Sequence, residues 1–149
     1  DGAGGVHLTI PAGAGAQPPT DGHTSGKDFT LQMNGKEVFR FAVSAMGSSA
    51  VRATQKAGLR AEEIDLFIPH QANARIIDAA AKRLGVEMDR VFVNLDRYGN
   101  TSCASIPIAL SEAFQQGRIK DGNHVVLVGF GGGLAWGSLV LRWGGALKA

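Results

Sequence analysis

The sequence is poor in cysteine, in net charge and in long apolar runs. Its one cysteine, Cys103, excludes a disulfide framework within the chain and fits a reducing compartment, so a cytoplasmic location is expected. The formal net charge of +2 is too small to argue for nucleic acid; an acidic partner would have to meet a local patch. No apolar run reaches the ~18 residues of a membrane helix, so no membrane role is expected. The chain opens Asp1-Gly2-Ala3-Gly4-Gly5, with neither an initiator Met nor a charged-then-apolar leader. A chain that starts so abruptly is expected to be a piece of a longer one. What is present is core-forming material. The 149 residues are 44% hydrophobic and 19% charged, a balance that excludes a disordered chain and suits one globular domain.

Periodicity divides the chain into alternating elements. Residues 5–10 read as a short strand, and residues 11–27, rich in Gly, Pro, Ala and Thr, as a loop or linker. Residues 29–33 alternate like a strand, which Asn34-Gly35 ends. From Glu37 to about Ala57, the positions Val38, Phe39, Ala42, Val43, Met46, Ala50 and Val51 recur at helical spacing, with Gly58 as the cap. Residues 65–69 form a compact apolar strand. Residues 71–84 form a helix with Ile76, Ile77, Ala80 and Leu84 facing inward, closed by Gly85. A strand at 91–93 follows, then a helix over 102–116 that tolerates Pro107 near its first turn. Strands at 124–130 and 134–143 close the chain. Helix and strand alternate before two final strands, which predicts a layered α/β unit with a mixed sheet and no internal repeat.

Several clusters could carry chemistry. Pro69-His70-Gln71-Ala72-Asn73 lies where a strand ends and a helix begins, the edge at which ligands collect in open α/β sheets. His70 there either satisfies the helix start or points an Nε2–H at a substrate oxygen. Tyr98-Gly99-Asn100-Thr101-Ser102 repeats the transition; Asn100 is either a turn or capping residue or a donor to the same point as His70. Gly131-Gly132-Gly133 misses the dinucleotide spacing. It reads as a close backbone approach with bare N–H groups for an oxyanion, or as a plain hairpin turn. Cys103 sits three residues after Asn100, near a helix start, where a thiol is activated, but a small buried cysteine packed like alanine is the expectation. Arg75, Lys82 and Arg83 lie on the outer side of their helix, as a solvated face or as a docking patch for an acidic carrier.

Four stretches together resemble the β-ketoacyl-acyl-carrier-protein (ACP) synthase III family of the thiolase-like superfamily. They are Asn34-Gly35-Lys36-Glu37-Val38-Phe39, Pro69-His70-Gln71-Ala72-Asn73-Ala74-Arg75-Ile76-Ile77, Asp96-Arg97-Tyr98-Gly99-Asn100-Thr101-Ser102, and Gly129-Phe130-Gly131-Gly132-Gly133-Leu134-Ala135-Trp136-Gly137. They run in the family's order and span nearly the whole chain. The resemblance implies a thiolase-like fold of two βαβαβαββ halves. Residues 1–27 would be the tail of the first half plus a linker, and residues 28–149 the C-terminal half-domain. It implies a Cys-His-Asn triad with His70 and Asn100 here and the cysteine in the first half; Cys103 falls where the family has a small residue.

The chemistry implied is decarboxylative Claisen condensation of a short acyl-CoA with malonyl-ACP, the start of fatty acid synthesis. His70 and Asn100 would hydrogen-bond the thioester oxygen as it becomes an enolate, and the Gly132 N–H would help to hold the tetrahedral oxyanion. Phe39 and Asn73 would line the pantetheine tunnel, with Phe130 beside the active pair. Gln71, Arg75, Lys82 and Arg83 would meet the acyl carrier protein. The resemblance implies no metal and no resident cofactor, since CoA and the ACP phosphopantetheine arrive as substrates, and it implies a homodimer. Two other readings stand beside this one: a non-catalytic acyl-CoA-binding subunit that completes another protein's core, and a Cys-His hydrolase built on Cys103. The chain alone is expected to be inactive and poorly soluble.

Overall fold

The computed structural model describes residues 2–12 and 26–144. The loop expected over 11–27 lies largely outside them. The chain forms two compact units, one of Asp1–Phe41 with Gly131–Ala135, the other of Ala42–Phe130 with Trp136–Ala149.

In the first unit the strand expected over 5–10 shrinks. A 3-10 segment, Gly2–His7, leads into β1, Leu8–Thr9, which pairs antiparallel with β2, Gln32–Met33. Gly4, inside that 3-10 segment, is buried against the Leu134 side chain, which a Cβ at this position would meet. The strand expected over 29–33 is shortened too. Thr30 donates through both its N–H (3.2 Å) and its Oγ1 (2.7 Å) to Lys27 O, closing a turn where alternation alone predicted extended chain. Helix α1, Gly35–Lys56, follows. Its buried positions Val38, Ala42, Met46 and Ala50 fall four residues apart, as the spacing predicted.

The second unit is built on three strands in the order β3, β4, β5: Leu66–Pro69, His124–Gly131 and Ala135–Arg142. The sheet is mixed. β3 and β4 are parallel, Leu66 opposite Val125 and Pro69 opposite Val128. All four residues of β3 are buried, which is why it reads as a continuous apolar run rather than an alternating one. The expected strand at 91–93 amounts to one parallel bridge, Val91 to Phe67. It goes no further because the next free amide, Asn94 N, donates to the Gln71 side chain instead of to a neighbouring strand.

Helix α2, Ala74–Leu84, begins three residues later than the periodicity suggested. Asn73 is its N-cap, in extended backbone, with its Oδ1 accepting from Arg75 N at 2.9 Å. Gly85, in left-handed backbone at φ 79°, ends it. Ile76, Ile77, Ala80, Ala81 and Leu84 are buried. A four-residue helix that the sequence pattern had not indicated, α3 (Leu95–Tyr98), precedes Gly99. The helix expected over 102–116 is split into a 3-10 turn, Ser102–Ala104, and α4, Ser105–Gln115. Ser102 has φ 53°, a left-handed conformation that regular helix cannot include.

One core cluster joins these elements: Leu66 and Ile68 of β3, Phe92, Ala109 and Ala113 of α4, Ile119, and Val125 of β4. Burying each large aliphatic or aromatic member contributes about 1.5–3 kcal/mol. The cluster clamps α4 onto β3 and β4, and so fixes the two turns that carry the polar residues.

Candidate active site

His70 is the first residue beyond β3. Its N–H donates to Val128 O at 2.8 Å, which extends the β3–β4 ladder by one step and fixes where the side chain starts. The side chain is 9% exposed. The ring Nδ1 lies 2.5 Å from Ser105 Oγ, and the ring meets Phe130 edge-on, at 83° with centroids 5.3 Å apart. Burial pushes the imidazole below the usual histidine range, so at neutral pH the ring is uncharged. Gly129 lies beside it: a Cβ there would stand 4.0 Å from His70 Cβ, an ordinary contact, and 3.3 Å from Ile106 Cδ1, a tight one. The sequence reading missed Ser105. It stands 35 residues from His70, and only the approach of α4 to the end of β3 joins them.

Asn100 is exposed. Its Oδ1 accepts from Ser102 N at 2.9 Å, an Asx turn that occupies the acceptor end of the amide. The donor end, Nδ2, takes no part in the turn. The turn-residue reading is therefore correct for Oδ1 and leaves the donor role to Nδ2. A hydrogen-bond chain links the two polar residues: Ser102 N to Asn100 Oδ1, Ser105 Oγ to Ser102 O (2.9 Å), and Ser105 Oγ with His70 Nδ1.

The segment before Asn100 is braced by Glu112 of α4. Its carboxylate accepts from Asn94 Nδ2 (2.8 Å), Tyr98 Oη (2.7 Å) and both terminal nitrogens of Arg97 (2.8 and 2.7 Å). These bonds, led by those of Asn94 and Tyr98, pull the Glu112 carboxyl down to about 2. The side chain is 15% exposed, unlike an ordinary surface glutamate, and nothing in its spacing had marked it.

Gln71 requires a correction. It was expected at the carrier-protein surface, but it is 1% exposed. Its Nε2 donates to Pro69 O (2.7 Å) and Phe92 O (3.2 Å), and its Oε1 accepts from Asn94 N (3.0 Å). A side chain so enclosed has no face left for a docking protein. It ties the end of β3 to the segment that leads to Asn100. Asn73, expected in the pantetheine tunnel, is the exposed N-cap of α2. Arg75, two residues further on, is exposed. Lys82 pairs with Asp78 at 2.8 Å, an exposed contact of well under about 1 kcal/mol. The stem of Arg83 lies over Gly47 of α1, where a Cβ would be 2.7 Å from Arg83 Cδ; this arginine is partly a packing residue. Cys103, expected buried like an alanine, is exposed, because it lies in the 3-10 turn ahead of α4 rather than on that helix's inner face.

In the first unit, Phe39 is half-buried on α1. Gly132 opens the 3-10 turn Gly132–Leu134 between β4 and β5. Among the described residues nothing lies within 4 Å of a Cβ built at Gly132, so no close approach within this chain demands glycine there. Its neighbour Gly133, at φ 70°, is the position that the turn itself reserves for glycine. Among the described residues no group of three or more His, Cys, Asp or Glu side chains is placed to hold a metal ion, and no helix is long and apolar enough to cross a membrane.

His70 at the end of β3 and Asn100 after α3 are thus tied together through Ser105 and Ser102. The family model for the C-terminal part of 3-oxoacyl-[acyl-carrier-protein] synthase III matches residues 54–143. The chain is 54% identical over 143 residues to a β-ketoacyl-[acyl-carrier-protein] synthase III of Desulfitobacterium hafniense, covering 96% of this chain and 43% of that one. It is 54% identical over 144 residues to the synthase III of Symbiobacterium thermophilum, covering 97% and 44%. The crystal structure of the Thermus thermophilus synthase III superposes with a TM-score of 0.86 at 55% identity, covering 98% of this chain and 44% of that one. The chain belongs to the 3-oxoacyl-ACP synthase III family, matching its C-terminal part. It spans less than half the length of the curated relatives it matches.

Proposed function

We propose that this chain forms the C-terminal half of a condensing enzyme that joins a short acyl-CoA primer to malonyl-ACP with loss of CO2, giving a 3-oxoacyl-ACP and initiating fatty acid synthesis. In this reading residues 28–149 are the half-domain and residues 1–27 the tail of a first half that carries the cysteine. The observation that carries the reading is the paired donor arrangement. His70 is buried and held through Nδ1, so Nε2 is the atom left for substrate, and Asn100 is held through Oδ1, so Nδ2 is left. Two uncharged groups presenting nitrogens suit an oxygen that gains negative charge; carboxylates there would repel it.

Gly132 would add an oxyanion N–H, Phe39 and Asn73 would line the pantetheine arm's path, and Phe130 would pack beside His70. Arg75, with Lys82 and Arg83, would form the basic face for the carrier protein, an acidic partner steered by charge. A homodimer in the cytoplasm completes the proposal.

The test uses a chimera in which this chain replaces the matching 143 residues of the Desulfitobacterium relative. After incubation with acetyl-CoA, the acyl adduct is mapped by peptide mass spectrometry. An acetyl group on a cysteine outside this chain is expected. An adduct on Cys103 would instead make this half a nucleophilic enzyme of its own. A chimera that binds acetyl-CoA and carries no adduct would favour the acyl-CoA-binding subunit.

A further inference from the structure

A helix of one turn does not hold itself, because nucleation fixes several residues for a single hydrogen bond. The turn that delivers Asn100, α3, is such a helix, and none of its four residues is buried. Apolar packing therefore does not anchor it; its hold is polar. Asn94, just ahead of it, is 2% exposed and gives its N–H to Gln71 Oε1 at 3.0 Å. The far end is held by Glu112, each of whose oxygens takes two donors. Oε1 accepts from Arg97 Nη1 at 2.8 Å and Tyr98 Oη at 2.7 Å. Oε2 accepts from Asn94 Nδ2 at 2.8 Å and Arg97 Nη2 at 2.7 Å. The carboxyl, held down to about 2, is ionised at neutral pH, and an ionised carboxylate only accepts, through about four lone-pair sites. All of them are taken, which leaves none for a substrate proton or a cation.

The exit from the turn is narrow as well. Gly99 N–H closes on Leu95 O at 2.8 Å. Gly99 stands at φ 66° and ψ −159°, a region open essentially to glycine alone. Asn100 is the next residue, so the place of its amide follows from the place of Tyr98. Glu112 is itself fixed, since Ala109 and Ala113 of the same helix are fully buried in the core cluster with β3 and β4.

We infer that Glu112 is a positioning residue for Asn100: it ties the loop that carries the amide to the core, and the enolate-forming step depends on it. The inference rests on the condensing-enzyme reading above. In that reading the bond between the malonyl α-carbon and its carboxylate breaks, CO2 leaves, and the bonding pair moves into the enolate whose oxygen Asn100 Nδ2 meets. Transfer of an acyl group from CoA to the cysteine forms no enolate. Loosening Asn100 therefore slows decarboxylation and spares acyl transfer. Glutamine at position 112 would loosen it: its NH2 cannot accept, so whichever way the amide turns, two of the four donors lose their partner.

The test measures the two half-reactions separately in the chimera. Glu112→Gln should lower malonyl-thioester decarboxylation by about 10–100-fold, the scale of a small misplacement, with acetyl transfer to the cysteine within about twofold of the parent. In the Asn100→Ala background the same change should add little, because the group it positions is gone. Tyr98→Phe removes one of the four bonds; it should give a smaller loss of the same kind, and it carries the test if Glu112→Gln does not fold. Equal losses with and without the Asn100 amide overturn the inference, as does acetyl transfer that falls in step with decarboxylation. Amide exchange at residues 99–101, which needs no turnover, should quicken in both variants, and an unchanged rate also overturns it. The reading beneath fails differently: a folded parent chimera that neither takes up acetyl nor decarboxylates overturns the condensing reading, whereas an active parent indifferent to Glu112→Gln overturns the Glu112 inference alone.

Discussion

The turn at His70 and the turn at Asn100 both precede a helix, yet they are held in different ways. At His70 the ring itself is gripped, by Ser105 at Nδ1 and by Phe130 at its edge, in a position that is almost closed to solvent. At Asn100 the side chain is exposed and the loop is held from behind, through the Glu112 carboxylate and the Asx turn. Direct grip makes a site residue sensitive to its immediate neighbours. A braced loop makes it sensitive to residues that never touch substrate. Gln71 belongs to both regions, since its amide joins Pro69 O to Asn94 N.

The comparison breaks most visibly in the chimera. His70→Ala and Asn100→Ala should each lower malonyl-thioester decarboxylation by about 10²–10³-fold, despite one residue being buried and the other exposed. Next comes the shared brace. Gln71→Leu leaves Pro69 O, Phe92 O and Asn94 N without this partner in a buried setting, and should lower stability by about 3 kcal/mol in urea unfolding. Gly129→Ala should act on the His70 side alone. Its methyl would crowd Ile106 Cδ1 at 3.3 Å and cost about 1 kcal/mol, shifting the His70 ring signals while the amides of residues 99–101 stay in place. Glu112→Gln should do the reverse, speeding amide exchange at residues 99–101 with the His70 ring unmoved.

The smallest effect is on stability against pH. His70 is depressed by burial below its ordinary 6.5, so the unfolded chain takes up the proton first. Stability is full above that value, falls as pH drops below it, and levels off once the folded ring is protonated. Glu112 is depressed from 4.5 to about 2, so its contribution is full above 4.5 and is lost as pH falls toward 2. Urea midpoints followed from neutral pH downward should show both declines. His70→Gln should remove the upper one and Glu112→Gln the lower.

Elements with a long periodic stripe were legible in the sequence. Val38, Ala42, Met46 and Ala50, and again Ile76, Ile77, Ala80 and Leu84, are buried where helical spacing put them. The strand β3 was legible because it is apolar throughout. Periodicity failed where a turn held by a local hydrogen bond competes with extension, as Thr30 does with Lys27, and where an element is a single turn, as at Leu95–Tyr98. His70 stood out because a polar residue ends a strand at a recognisable motif; Asn100 stood out by its motif alone, since it follows the single turn Leu95–Tyr98 and not the strand expected before it. Ser105 and Glu112 did not, because their partners lie 35 and 14–18 residues away and a serine or glutamate on a helix has many solvated precedents. Adjacency misled at Gln71, where being next to His70 in sequence suggested exposure that the amide network denies.

The central claim, that a gripped imidazole and a loop-borne amide act on one oxygen, is tested most directly by a double-mutant cycle in the chimera. Malonyl-thioester decarboxylation is measured for the parent, His70→Ala, Asn100→Ala and the pair together. Residues that act as a unit give losses that do not multiply, so the double variant should be little slower than the worse single one. Losses that multiply, or a single variant with the parent's rate, would contradict the claim.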